Sequence, residues 1–140
     1  MSLIPPAPVP QSGVIPYRWR QQHLDVLLIT SRRRGRWIIP KGKVAPWLDP
    51  AASACREAYE EAGIHGVISA TALGQYDYHK RGMCWTVSVF SLAVQTVLDV
   101  WPEMPMRERR WFPISVASQL VAEPDLRTLI ALLATHLTPA

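Results

Sequence analysis

Residues 42–64 read GKVAPWLDPAASACREAYEEAGI, and this stretch decides the fold. Asp49-Pro50 marks a helix start by two independent rules. Asp49 can cap the free N–H groups, and Pro50 at the first helical position loses nothing, because its missing N–H would be unpaired anyway. Gly63 supplies the usual left-handed stop, so the spacing predicts a helix over residues 50–62. At 100° per residue, Glu57, Glu60 and Glu61 fall within roughly a 100° arc of one helix face. Ala51, Cys55, Ala58 and Ala62 fall on the facing side, a small-residue surface that lets the helix lie close against a sheet.

Working outward, Leu24 to Thr30 (LDVLLIT) is a continuous apolar run short enough for a buried strand. Val14 to Trp19 predicts a strand before it. Ser31 to Arg36 is a polar turn, and Trp37 to Ile39 a short extended piece that Pro40 ends or bends. Lys41 to Leu48 reads as a loop. Beyond the helix, Val67 to Tyr78 and Met83 to Val94 predict strands separated by the turn His79-Lys80-Arg81-Gly82, and Trp111-Phe112 begins another short element. A last helix is expected over Asp125 to His136, with Leu126, Leu129, Ile130 and Leu133 on one face. Residues 1–12 hold four prolines and no periodicity, so a mobile tail is expected there, followed by one mixed α/β domain over 13–140.

The chain has 140 residues, enough for one domain with a proper core. No apolar run approaches membrane-spanning length, and Met1 to Pro10 lacks the basic-then-apolar order of a signal peptide. Cys55 and Cys84 sit in apolar settings without CxxC spacing, which reads as buried free thiols in a reducing cytoplasm. The balance is basic, with 15 Lys+Arg against 11 Asp+Glu, and favours anionic partners without naming nucleic acid. The cations fall in clusters: Arg32, Arg33, Arg34 and Arg36 with Lys41 and Lys43; then Lys80 with Arg81; then Arg107, Arg109 and Arg110.

Three glutamates on one arc repel one another, and Arg56, one turn before Glu60, cannot offset all three charges. A hard divalent cation can, since Mg²⁺ takes carboxylate oxygens, bridges phosphates and acidifies a bound water. The plain reading is a solvated helix face, and the flanking residues argue against it. Gly42, Arg56, Glu57, Glu60, Glu61, Gly63 and Ile64 all fall in register with the Nudix box, and the chain resembles the Nudix hydrolases, with the box covering Gly42 to Ile64. The strand order on either side is compatible with that fold over most of the chain.

The resemblance implies a mixed sheet between helices. It implies Glu57, Glu60 and Glu61 as ligands of Mg²⁺ (or Mn²⁺), the backbone carbonyl of Lys41 as a further ligand, Glu57, Glu103 or Glu108 as the base, and Glu103 as an added metal ligand. Arg56 is implied to orient Glu60. The run SRRRGRWIIPKG over residues 31–42 is similar to the branch handling diphosphoinositol polyphosphates and dinucleoside polyphosphates. Arg32, Arg34, Arg36, Lys41, Lys43, Lys80 and Arg81 are then the expected phosphate contacts, forked arginine donors suiting phosphate oxygens. One departure stands out: Leu48 replaces the early box acid that commonly pairs with the box arginine in the family.

The expected activity is hydrolysis of a phosphoanhydride in a small phosphorylated molecule, largely by positioning and charge stabilisation. Nucleoside diphosphate conjugates and a 5′-triphosphorylated RNA end remain on the substrate list; the pI alone supports a nucleic-acid-binding domain, and neither a zinc spacing nor an RNA-binding motif joins it. The contrasting expectation, kept alive by Leu48, is a non-catalytic module that binds a phosphorylated ligand.

Overall fold

The apolar run 24–30 forms the body of strand β2 (His23–Thr30), buried after its first residue, in a computed structural model that describes residues 7–137. Among these residues eight strands make one mixed sheet, with the path β3-β2-β1-β7-β5 at its centre. Strand β1 (Val9–Arg20) pairs antiparallel with β2 and parallel with the long β7 (Met83–Val97). β3 (Trp37–Ile38) and β8 (Arg109–Pro113) flank β2, while β5 (Ile64–Ile68) and β6 (Gly74–Lys80) share β7 between them.

Period-two alternation sends neighbouring residues to opposite faces. Val14, Leu27, Ile29, Phe90 and Leu92 form one layer with Ala54, Ala58 and Ala62 of the central helical segment. Ile15, Val26, Leu28, Val87 and Val89 form the other with Leu126, Leu129, Ile130 and Leu133 of α3 (Pro124–His136). The expected architecture, a mixed sheet between helices, is the one observed, and the four α3 residues are buried as their spacing predicts. Tyr76 is also packed in this core.

Several boundaries differ from expectation. β1 starts at Val9 instead of Val14, because Val9 to Gly13 ladder onto Trp85 to Val89 of β7. Pro10 is tolerated since it lies beyond the last partner on the other edge, Gln11 opposite Lys43. The paired chain therefore begins before residue 13, and residues 1–6 of the expected tail lie outside the described residues. Lys41 to Lys43, expected as loop, forms β4 against Gln11 to Gly13. The segment 67–78 is not one strand: β5 and β6 occupy successive lengths of β7, with residues 69–73 between them. The turn at 79–82 tightens to Arg81-Gly82, both at positive φ, as a two-residue hairpin of right-twisting strands demands. A short helix, α2 (Ile114–Leu120), was not expected. No helix among the described residues is long and apolar enough to cross a membrane. Both cysteines are free and half-buried rather than fully buried.

Candidate functional site

The predicted helix begins as read. Asp49 Oδ1 accepts the Ala52 N–H at 2.7 Å, and Pro50 opens α1 (Pro50–Glu57). Its close approach to the sheet is made by Ala54, Ala58 and Ala62, all fully buried, with Ala51 alongside. Ala54 thus belongs to the packing face, whereas Cys55 is only half-buried. The last turn, Ala58–Ala62, is wound as a π-helix before Gly63 stops it at φ 65°. Such wide turns concentrate at functional sites.

The carbonyls of this π turn are satisfied by a segment distant in sequence. Trp101 Nε1 donates to the Glu61 carbonyl at 3.1 Å, the Glu103 N–H to that of Glu60 at 3.0 Å, and the Leu98 N–H to that of Gly63 at 2.8 Å. Arg109 Nη1 donates to the Ala62 carbonyl at 2.8 Å while its guanidinium covers the Trp101 ring at 3.8 Å. A helix C-terminus normally leaves such acceptors to solvent or caps. Here residues 98–109 close it and carry Glu103 and Arg107 to the glutamates.

Each glutamate has its own setting. Glu57 lies over Gly42: a Cβ built on Gly42 would fall on the Glu57 carboxyl group, so the glycine forms a cradle only a residue without a side chain provides. Glu60 accepts from Arg56 Nε at 2.9 Å. Glu61 is buried; it accepts the Lys41 N–H at 3.0 Å and Arg107 Nη2 at 3.3 Å. Glu103 accepts Arg107 Nε at 2.9 Å. The structure thus brings Gly42, Lys41, Glu57, Glu60, Glu61 and Glu103 into one region. Glu108 instead presents its side chain to solvent.

Burial pushes the Glu57 carboxyl up to about 7, with the Glu61, Glu60 and Glu103 charges adding to it and Arg56 opposing. Glu61 is likewise pushed up to about 7 by burial, and Arg107 and the Lys41 N–H only partly offset this. Two carboxyls poised near neutrality mark a place where negative charge is under-compensated. The donor set is all oxygen, which fits a hard divalent cation. No three acidic, His or Cys side chains among the described residues converge closely enough to form a ready-made metal cage. Glu60 pairs with Arg56, and Glu61 and Glu103 both pair with Arg107.

The expected phosphate contacts gather at the same end of the sheet. Arg32, Arg34 and Arg36 are exposed on the turn after Thr30, and Arg32 Nη2 reaches Met106 Sδ at 2.9 Å, beside the Glu103–Arg107 segment. Lys41 Nζ sits over the Tyr78 ring at 5.0 Å and Lys43 Nζ over Trp85 at 5.5 Å, the two rings being stacked 6.4 Å apart. Burial lowers the Lys41 ammonium, Arg107 and Lys80 pushing the same way, with Glu61 and Glu123 opposing. Lys80 and Arg81 are exposed at the β6–β7 hairpin. Arg34, Arg36, Lys43, Lys80 and Arg81 have no salt-bridge partner among the described residues. A hollow of about 540 Å³ between Trp19, His23, Ile114 and Leu137 lies at the opposite end of the sheet and is lined by none of these groups. Sequence reasoning gave Arg107 and Arg109 no role at this place, the basic cluster at 107–110 being their only trace, and read Trp101 as a core or base-stacking aromatic rather than a partner of the helix end.

Comparison with known proteins matches the family model described as "NUDIX domain" to residues 8–133. The chain is 32% identical over 123 residues to Nudix hydrolase 21, chloroplastic, of Arabidopsis thaliana, covering 82% of this chain and 61% of that protein. It is 34% identical over 104 residues to diphosphoinositol polyphosphate phosphohydrolase 2 of Rattus norvegicus, covering 72% of this chain and 56% of that protein. The chain therefore spans about three-fifths of the length of these curated relatives. The fold superposes on the crystal structure of C. elegans Ap4A hydrolase with a TM-score of 0.77 at 21% identity, covering 93% of this chain and 98% of that one.

Proposed function

The chain belongs to the NUDIX family, and from that premise we propose that it is a Mg²⁺-dependent hydrolase cleaving a phosphoanhydride bond in a polyphosphorylated small molecule. The observation carrying this reading is the pair Glu57 and Glu61, packed around Gly42 and Lys41 with their carboxyls pushed up to about 7. Glu57, Glu60 and Glu61 would hold the ion, with Glu103 and the Lys41 carbonyl completing the set; Mn²⁺ would serve in its place. When bound, Mg²⁺ supplies charge neutralisation for the anhydride oxygens and acidifies water.

The rest falls to side chains. Glu57 has no salt-bridge partner among the described residues, which leaves it the carboxylate freest to act as base, taking a proton from the attacking water. Water adds to phosphorus, the anhydride P–O bond breaks, and the bridging oxygen leaves with the second phosphate. Arg56 positions Glu60. Lys41, Lys43, Lys80, Arg81 and the 32–36 arginines bind and orient the remaining phosphates.

Among substrates, a dinucleoside polyphosphate is favoured by the stacked Tyr78–Trp85 pair beside Lys41 and Lys43, aromatic faces suiting a base next to a phosphate chain. The printed activity of the C. elegans neighbour agrees with this choice. A diphosphoinositol polyphosphate is the second reading, favoured by the exposed arginine turn and by the name of the rat relative. The test is phosphate release with Mg²⁺ over diadenosine polyphosphates, an inositol pyrophosphate, ADP-ribose and nucleoside triphosphates, with Glu61→Gln beside wild type. Turnover that is lost in Glu61→Gln supports the hydrolase; tight ligand binding with no turnover in wild type would establish the non-catalytic module instead.

A further inference from the structure

One guanidinium lies between two of the candidate metal carboxylates, Glu61 and Glu103. Arg107 uses three donors on three acceptors: Nε on Glu103 at 2.9 Å, Nη2 on Glu61 at 3.3 Å and Nη1 on the Thr30 carbonyl at 3.0 Å. Its side chain is 6% exposed, against 10% for Glu61 and 20% for Glu103. A buried arginine with two carboxylates is held by charge-assisted bonds that water does not screen. The Thr30 carbonyl, a neutral acceptor on β2, gives the guanidinium a third contact that does not involve the acids.

Resting on the reading of Glu61 and Glu103 as metal ligands, we propose that Arg107 is a positioning residue acting as a built-in counter-cation. In the metal-free protein it neutralises and gathers Glu61 and Glu103, and a divalent ion competes with it for those same carboxylates. This separates two roles that a purely structural arginine would combine. Removing its charge weakens the metal-free fold, because buried acids lose their partner, yet strengthens metal binding, because the competitor is gone.

The test uses the full chain at about pH 8, with Arg107→Met as the uncharged variant of similar length and Arg107→Lys as the charged one that cannot fork between two acids. Thermal melts in chelator and the affinity for Mn²⁺, read from the EPR signal of the free ion, are measured for each. Arg107→Met is expected to melt lower than wild type in chelator, to bind Mn²⁺ on the order of tenfold more tightly, and to regain stability as Mn²⁺ saturates. Arg107→Lys is expected between the two. Mn²⁺ affinity that is unchanged or weaker in the variants overturns the proposal. Should Arg107→Met fail to fold, the wild-type Arg107 Nε–H resonance decides: Mg²⁺ is expected to shift it and speed its exchange with water, and an unmoved signal overturns the idea. Wild type binding Mn²⁺, with loss in Glu61→Gln but no change in the Arg107 variants, removes this inference alone. Absence of Mn²⁺ binding in wild type removes the metal reading with it.

Discussion

Without metal, the protein should lose stability as pH rises through the range where most proteins are steady. The group responsible is Glu61, buried and pushed up to about 7. In the unfolded chain a glutamate titrates near about 4.3, so between these values the folded state holds a proton that the unfolded state has released. Stability then falls with pH; the contribution is complete below the unfolded value and gone above the folded one. A difference of between two and three pH units corresponds to about 3 kcal/mol, on the order of a third of a small domain's total. Glu57, less deeply buried, adds in the same direction with a smaller share. Urea unfolding in EDTA at about pH 5 and about pH 8 reads the effect, with a loss of about 2–3 kcal/mol expected across that span. Glu61→Gln should remove most of the slope, since an amide does not titrate. Saturating Mg²⁺ at the higher pH should return about 2.7 kcal/mol at a hundred times its Kd. A metal-free wild type as stable at pH 8 as at pH 5 would refute the account of Glu61 as an under-compensated buried acid.

Gly42→Ala should cost at least tenfold in turnover with little change in Tm, because the new Cβ displaces only the flexible end of Glu57; a melt lowered as far as the rate would show the glycine to be structural instead. Trp101→Phe removes the donor to the Glu61 carbonyl and should cost about 1 kcal/mol in urea unfolding, with weaker Mg²⁺ binding as the π turn loosens. Ser53→Ala should cost about 1–2 kcal/mol, since the buried hydroxyl donates to the Lys43 carbonyl and accepts the Ala45 N–H; a neutral outcome would mean water takes over both contacts.

What could be read from the sequence was whatever local chemistry determines. Asp49-Pro50 and Gly63 fixed both ends of the central helical segment because capping and left-handed stops are settled by single residues. Leu126, Leu129, Ile130 and Leu133 announced α3 because a buried helical face repeats every three to four residues. The parts that stayed hidden depend on pairing across long separations. Val9 to Ser12 looked like tail because prolines speak locally, while the ladder onto Trp85 to Ser88 does not. The π turn was invisible because its carbonyls are claimed by residues about forty positions away. For the same reason the glutamate spacing located the site, and Arg107, spaced by no motif, stayed unassigned until the 98–109 segment was seen folded over that turn.

Leu48 is the residue that most encourages a non-catalytic reading, and the local geometry weakens that case. An acid at this position would serve to hold the loop to the helix through Arg56. Here the loop is held by other means: the Leu48 N–H donates to the Ala45 carbonyl at 3.0 Å, Ser53 Oγ joins Ala45 and Lys43 at 3.2 Å each, and Arg56 covers the Trp47 ring at 5.7 Å. None of these contacts takes the Arg56 Nε, which remains on Glu60. An added carboxylate would compete with Glu60 for that arginine and put one more negative charge beside a cluster already short of cations. Leu48 therefore leaves the orienting contact of Arg56 undivided, and its consequence falls on how the 44–49 loop is held rather than on the glutamates that would do the chemistry.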